Sequence, residues 1–202
     1  MSLEGNLKLL LGTAVAALSF GTAHAAPIAA ITPIGEAAFS AGTFTVGWSL
    51  TVNDSIRVTD LGYFDRGADG LVGRHPVGLW TAAGALLSSA TVTNANALVG
   101  SFRYADISDF ILAPGTYVVG GVNDSADGYI AAASFTTPAE ITFLQGRFAL
   151  GGALAFPGNV DSTGAASVFG ANFLFEAVPE PASLALLGLG LAGLGLSRRR
   201  KA

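Results

Sequence analysis

Residues 44–52 read FTVGWSLTV and have the clearest periodicity in the chain. Large apolar side chains occupy every second position from Phe44 to Val52, and small or polar residues fill the positions between them. Successive side chains of a strand point to opposite faces, so a period of two predicts a half-buried antiparallel β-strand. We expect Trp48, which lies on the apolar face, to be buried in the core.

Further short apolar segments recur between residues 40 and 178, where helical periodicity is absent. Residues 56–64, IRVTDLGYF, predict a second strand with a bulge near Thr59 and Asp60. Residues 82–84, Ala-Ala-Gly, predict the connection of a hairpin. This spacing predicts an all-β fold, an antiparallel β-sandwich or jelly roll of about eight or nine strands.

The C-terminal segment, residues 178–202, has three parts in order. The tripeptide Pro179-Glu180-Pro181 comes first, and residues 182–196 then form an uncharged, mostly apolar run. A helix of this length would be about 22 Å long, shorter than the ~30 Å hydrocarbon core of a membrane. Snorkelling side chains can cover that deficit, so we expect a short C-terminal transmembrane helix with a cytoplasmic basic tail. The basic tail consists of Arg198, Arg199, Arg200 and Lys201.

Because these parts occur in this order at the C-terminus, the segment resembles the PEP-CTERM sorting signal of Gram-negative bacteria. The resemblance implies that exosortase, a membrane protease, cuts the chain near Pro179, Glu180 and Pro181. It specifies a destination and no activity. An uncut membrane anchor, or an uncut periplasmic protein, is the alternative interpretation of the same residues.

The N-terminal residues have the pattern of a secretory signal. LLLGTAVAALSF at residues 9–20 has the length of a signal-peptide apolar region, and Ala23 and Ala25 form a small-x-small cleavage site. We therefore expect a helical signal peptide at residues 1–25 that the secretion machinery and signal peptidase recognise and remove. An extended lead-in at 26–40, a β-sandwich domain at 41–177 and the sorting segment at 178–202 complete the predicted organisation.

These signals predict an exported protein that is anchored transiently in the inner membrane and then reaches the cell surface or the extracellular space. Between residues 26 and 178 the chain has twelve acidic and five basic residues, a net charge of −7. Such a surface repels phosphates, which excludes nucleic-acid binding. The chain has no cysteine, so its fold uses no disulfides.

The body also resembles a β-sandwich family of bacterial surface and PEP-CTERM proteins. The resemblance covers about 80 residues from Phe44 to Val122 and rests on the segments FTVGWSLTVND, VTDLGYFD, GLVGRHPVGLW and LAPGTYVVGG. It implies a fold and no established activity.

Catalytic motifs are missing from the body. His75 is its one histidine, no G-x-S-x-G or phosphate-binding loop is present, and zinc hydrolases usually need two or more His or Cys ligands. A carboxylate pair for glycoside hydrolysis stays open, because the distance between its members depends on the fold. We expect a protein that is not an enzyme and has no cofactor, with calcium as the one exception considered.

Two loops combine acidic residues with glycine. Asp65 and Asp69 lie four residues apart in FDRGADGLVGRH, and Asp124 and Asp127 follow Asn123 in VNDSADGY. Calcium is bound by several carboxylate and carbonyl oxygens, often on loops of extracellular modules. The four aspartates are therefore a candidate calcium site. The alternative is that they only form turns through side-chain hydrogen bonds.

The favoured function is that of a non-enzymatic surface or extracellular-matrix protein, associated with exopolysaccharide or biofilm. The alternative is an exported glycan-active enzyme, a lyase or glycosidase, built on the same sandwich. Exposed aromatic rings could bind glycan, and Trp80, Tyr63 and Tyr104 are the candidates, although most aromatic residues of a sandwich this size should lie in its core.

Overall fold

The structure, a computed structural model, describes residues 26–35, 38–39, 42–131, 134–161, 168–178 and 189–190. The predicted signal helix at residues 1–25 lies outside these ranges. Of the predicted transmembrane helix, the structure describes Leu189 and Gly190, which are helical. Among the described residues there is no apolar helix of membrane-spanning length.

The described residues contain sixteen strands, eight of which have seven residues or more, and a short 3₁₀ helix (Arg66–Ala68). The eight long strands confirm the predicted all-β fold and its approximate strand number. In chain order the strands are β1 (Ile28–Ala29), β2 (Thr32–Ile34), β3 (Ala38–Phe39), β4 (Phe44–Val52), β5 (Ile56–Phe64), β6 (His75–Thr81), β7 (Leu86–Val92), β8 (Ala97–Val99), β9 (Phe102–Leu112), β10 (Gly115–Asn123), β11 (Tyr129–Ala131), β12 (Ser134–Thr136), β13 (Ile141–Leu150), β14 (Asn159–Val160), β15 (Val168–Phe169) and β16 (Ala171–Ala177).

Two antiparallel sheets enclose the core. One has the order β1-β16-β5-β9-β8, and the other has the order β14-β13-β4-β10-β6-β7. The described strands also form two smaller sheets, with the orders β15-β11-β3 and β12-β2. In the lead-in, Ile28 and Ala29 pair with β16 and so form an edge of the five-stranded sheet.

Strand β4 lies in the middle of the six-stranded sheet and has the bounds that its sequence pattern predicted. Trp48 is fully buried, as expected, between the rings of Phe143 and Phe173. Its indole Nε1–H donates to the carbonyl of Ala171 on β16, 2.9 Å away. Trp48 therefore joins the two sheets through both apolar contact and a hydrogen bond.

The second face of β4 is also covered, so the prediction of a half-buried strand was wrong. Thr45 and Ser49 are fully buried. The Thr45 hydroxyl donates to the carbonyl of Ala153 (3.4 Å) and accepts the N–H of Ala155 (3.3 Å). A segment about a hundred residues later in the chain thus packs over the outer face of the sheet.

Two other local predictions are confirmed. The pairing of β5 with β9 shifts between Val58 and Asp60, which is the predicted bulge. Strands β6 and β7 pair antiparallel across the predicted hairpin connection, where Gly84 has the positive φ of 89° that a tight turn requires.

Candidate functional site

Two loops meet beside the N-terminal end of β6. Residues 65–74 follow β5, and residues 124–128 follow β10. The N–H groups of Val72 and Gly73 in the first loop donate to Asp127 in the second, to Oδ1 at 3.0 Å and to Oδ2 at 2.6 Å. The loops that carry the four predicted calcium ligands are therefore in direct contact.

His75 joins this contact as the first residue of β6. Its side chain is fully buried. Nε2 lies 2.9 Å from Oδ2 of Asp127, and Nδ1 lies 2.8 Å from the carbonyl oxygen of Val122. A carbonyl only accepts, so Nδ1 carries a proton and donates it. Nε2 is the ring nitrogen that faces the carboxylate.

The Asp127 carboxyl is held in its ionised form. Burial raises its pKa, but hydrogen bonds from the Gly73 N–H, the His75 ring and the Val72 N–H outweigh burial, so the pKa lies below its ordinary value. A lone pair on Nε2 would repel the ionised oxygen 2.9 Å away, so this contact holds either a hydrogen bond or a cation.

Asp124 lies next to this pair. Its Oδ1 accepts the N–H groups of Ala126 (2.9 Å) and Asp127 (2.8 Å), which closes a tight turn. Among the described residues, His75, Asp124 and Asp127 form one group that could hold a metal ion, with one ligand atom from each within 4.8 Å of the others. We call these three residues the His75 cluster.

The structure does not unite the four predicted calcium ligands. Asp65 is 1% exposed, and its Oδ2 accepts the Nε–H of Arg103 at 2.6 Å, so its charge is already balanced. Its Oδ1 accepts the N–H of Gly70. Asp69 is exposed and lies outside the His75 cluster. Asp124 and Asp127 are the two candidates that the fold brings together, with His75 as a third member.

Sequence reasoning considered His75 only as a partner for a catalytic nucleophile. Its ring instead stacks on Tyr63, whose pKa is raised by burial and by the nearby charges of Asp124 and Asp127. The pairing of β10 with β6 places Val77 opposite Gly121, which brings the start of β6 to the end of β10. The cluster is therefore assembled by the strand register and not by a local sequence motif.

The three aromatic candidates for glycan binding are all buried. Tyr63 is fully buried, and Trp80 and Tyr104 are each 4% exposed. Trp80 packs edge-on against Phe156, and the hydroxyl of Tyr104 accepts a hydrogen bond from Asn172. None of these three rings therefore presents an open face to a sugar.

The last strand ends where the sorting segment begins. Strand β16 stops at Ala177, and the N–H of Val178 donates to the carbonyl of Ser55 at 3.3 Å. The other predicted processing and sorting residues lie outside the described part of the chain; they are Ala23, Ala25, Pro179, Glu180, Pro181, Arg198, Arg199, Arg200 and Lys201.

Comparison with protein families gives two matches. The model of the PEP-CTERM protein-sorting motif matches residues 177–201, which confirms the predicted sorting signal. A model described as a domain of unknown function, DUF4082, matches residues 30–168 and so covers most of the sandwich. Neither the curated proteins nor the solved structures include a match to this chain.

Proposed function

We propose that this chain, which belongs to the DUF4082 family and ends in a PEP-CTERM sorting motif, is a non-enzymatic component of the cell surface or extracellular matrix. The motif implies export and sorting by exosortase. The observation that carries the proposal is the position of the motif: its match begins at residue 177, where β16 ends. Cleavage beyond residue 178 would therefore leave every strand of both sheets in place.

The burial and the hydrogen-bond partners of the titratable side chains support a role without catalysis. A general acid or base must come within hydrogen-bond reach of the proton that it transfers. His75, the histidine that the described residues contain, is fully buried, with both ring nitrogens facing acceptors of the protein itself. Asp65 and Asp127 are likewise occupied by Arg103 and by backbone N–H groups. These groups are arranged to hold loops together.

Association with exopolysaccharide or biofilm is the finer part of the proposal. It rests on the PEP-CTERM route, because this chain resembles proteins of that route that are linked to exopolysaccharide and biofilm. The buried positions of Trp80, Tyr63 and Tyr104 favour contact through the polar surface over stacking on those rings. An acidic body with a net charge of −7 between residues 26 and 178 would favour a neutral or cationic polysaccharide over an anionic one.

Processing is tested by intact-protein mass spectrometry of the surface fraction and the membrane fraction. We expect a surface form that begins at Ala26 and has lost the basic tail. Replacing Pro179, Glu180 and Pro181 together with alanine should retain the chain in the membrane with its C-terminus at Ala202. Ser183→Ala, just beyond the motif, is the matched control and should be processed normally. Surface protein that still runs from Met1 to Ala202 would overturn this part of the proposal.

Binding is tested with the processed protein recovered from the cell surface. The protein is applied to a polysaccharide array, and the products of an overnight incubation with each bound polymer are sized by chromatography. We expect retention without a change in polymer length. Shortened polymer would instead favour the glycan-active enzyme, and Asp60 and Asp106, which lie opposite each other on β5 and β9, would be the first carboxylate pair to replace.

A further inference from the structure

We propose that the His75 cluster binds a divalent transition-metal ion of the zinc class in the space beside Gly73. The ligand atoms are Nε2 of His75, Oδ2 of Asp124 and Oδ2 of Asp127. This site differs from the calcium site considered from the sequence, because it uses an imidazole and leaves out Asp65 and Asp69.

Gly73 lets three polar atoms approach its α-carbon. A β-carbon placed there would lie 2.3 Å from Oδ2 of Asp124, 3.3 Å from Oδ2 of Asp127 and 3.3 Å from Nε2 of His75. Gly73 is not among the glycines with positive φ, so its backbone conformation does not require glycine. The close approach of these three atoms explains the residue, because any side chain would displace the Asp124 carboxylate.

A backbone carbonyl orients the imidazole of His75. Nδ1–H of His75 donates to the carbonyl of Val122, which turns Nε2 toward the space. Metal-binding histidines usually donate their other ring N–H to a carbonyl or carboxylate in this way. The ring plane is also fixed, because it stacks on Tyr63 at a centroid distance of 3.9 Å.

The two carboxylates are oriented by the backbone. Oδ1 of Asp124 accepts two N–H groups of its own turn, and Oδ1 of Asp127 accepts the N–H of Val72. The Oδ2 atoms of both carboxylates face Gly73. Oδ2 of Asp127 also accepts the Gly73 N–H at 2.6 Å, which fixes its position and leaves a second lone pair for a metal ion. The protein therefore holds each of the three side chains in an orientation that directs one ligand atom toward a common point.

The spacing and the charge of the ligand atoms suit a divalent ion. Two ligand atoms that each lie about 2.1 Å from a zinc ion stand roughly 3 to 3.5 Å apart. Nε2 of His75 and Oδ2 of Asp127 are 2.9 Å apart, and the whole set lies within 4.8 Å, so small side-chain movements would complete the site. A divalent cation would also relieve the repulsion between the carboxylates of Asp124 and Asp127.

The chemistry of the ligands selects the metal. Calcium takes oxygen ligands almost exclusively, whereas imidazole suits zinc and other late transition metals. Three protein ligands leave room for water, and the site can be reached from solvent because Gly73 and Asp124 are only partly buried. The ion would tie the loop after β5 to the turn after β10.

The test is isothermal titration of the processed protein with Zn²⁺ and, separately, with Ca²⁺. We expect one Zn²⁺ per chain and no comparable binding of Ca²⁺. Asp124→Asn should weaken Zn²⁺ binding by roughly 10–100-fold, the loss typical of perturbed metal sites. It keeps an oxygen at Oδ1 for the turn, so folding should survive. Gly73→Ala should block the site while removing no ligand.

Matched controls separate the site from its surroundings. Asp69→Asn removes an exposed carboxylate of the same loop, and Gly115→Ala adds a methyl group whose nearest neighbour is the Tyr117 ring at 3.6 Å. Both variants should bind Zn²⁺ as the wild type does. The proposal would be overturned by a wild type that binds no Zn²⁺, by equal binding of Zn²⁺ to wild type, Asp124→Asn and Gly73→Ala, or by binding of Ca²⁺ alone.

NMR spectroscopy distinguishes a bound metal ion from a hydrogen bond between Nε2 of His75 and Asp127. The chain has two histidines, and His24 precedes the expected signal-peptidase site, so the processed protein has one imidazole to observe. The ¹⁵N resonance of Nε2 should shift on addition of Zn²⁺ and return on addition of EDTA. An Nε2–H signal unchanged by Zn²⁺ would show that the hydrogen bond persists and would reject the metal site.

Discussion

The ring of His75 lies flat against the ring of Tyr63, with 3.9 Å between their centroids and 7° between their planes. The hydroxyl of Tyr63 lies 3.2 Å from both Oδ1 of Asn123 and the carbonyl oxygen of Gly128. Tyr63 therefore connects β5 to the end of β10 and to the turn that follows it. The same side chain packs against one face of the His75 imidazole.

Removing that hydroxyl should destabilise the fold without disturbing the stacked rings. In Tyr63→Phe, two buried acceptors lose their shared donor, and we expect a loss of about 1–2 kcal/mol in the free energy of unfolding. Urea denaturation measures the difference. Tyr117→Phe is the control, because its hydroxyl donates to Ala113 at an exposed position and should matter by less than about 0.5 kcal/mol. Equal losses in the two variants would contradict this account.

The buried ion pair between Asp65 and Arg103 leads to a second prediction. Arg103 also donates to the carbonyls of Asn94 and Asn96, so it joins the loop after β5 to the connection before β8. Arg103→Ala would leave the Asp65 carboxylate buried without its cation, at a cost of about 3–5 kcal/mol. Thermal and urea denaturation should both show it.

Two further variants define the cause of that loss. Arg66→Ala removes an exposed arginine from the same loop and should have little effect. Combining Arg103→Ala with Asp65→Asn should recover part of the stability, because the unpaired charge is then gone. A double variant no more stable than Arg103→Ala would show that packing, and not the charge, accounts for the loss.

Three glycines on neighbouring strands lie opposite one another, since Gly120 pairs with both Gly47 and Gly78. A β-carbon on Gly47 would overlap the carbonyl oxygen of Val119. Gly47→Ala should therefore force β4 and β10 apart and cost at least about 1–3 kcal/mol. Gly115→Ala, at the other end of the same strand pair, should be tolerated. The yield of folded protein and the urea midpoint of each variant check the prediction.

Tyr104 predicts how stability responds to alkaline pH. Burial, helped by the charge of Asp60, raises its pKa well above the ordinary value of 10.0. The unfolded chain loses this proton above pH ~10 while the folded chain retains it, so the stabilisation is complete below that pH and declines as pH rises. Absorbance at 295 nm should show Tyr104 ionising only with unfolding. Between about pH 9 and 11 the free energy of unfolding should fall less in Tyr104→Phe than in wild type or in Tyr117→Phe.

Local sequence pattern was sufficient to locate some of the long strands. The alternation in residues 44–52 predicted the bounds of β4 and the burial of Trp48, because the geometry of a strand makes alternate side chains share a face. The bulge beside Thr59 was also visible as a slip in that alternation. The sorting motif could be recognised for a related reason: a protease reads it as a linear segment, and no tertiary contact is needed.

Contacts between distant segments were decided by the tertiary structure alone. The pattern of β4 could not show that residues near Ala153 cover its outer face, because that contact depends on the path of the chain about a hundred residues later. His75 and Asp127 are 52 residues apart, and they meet because β6 pairs with β10 in one particular register. Hydrophobic alternation determines which face of a strand is buried, but many pairings satisfy it equally. The one register that forms between β6 and β10 places the imidazole beside the two carboxylates.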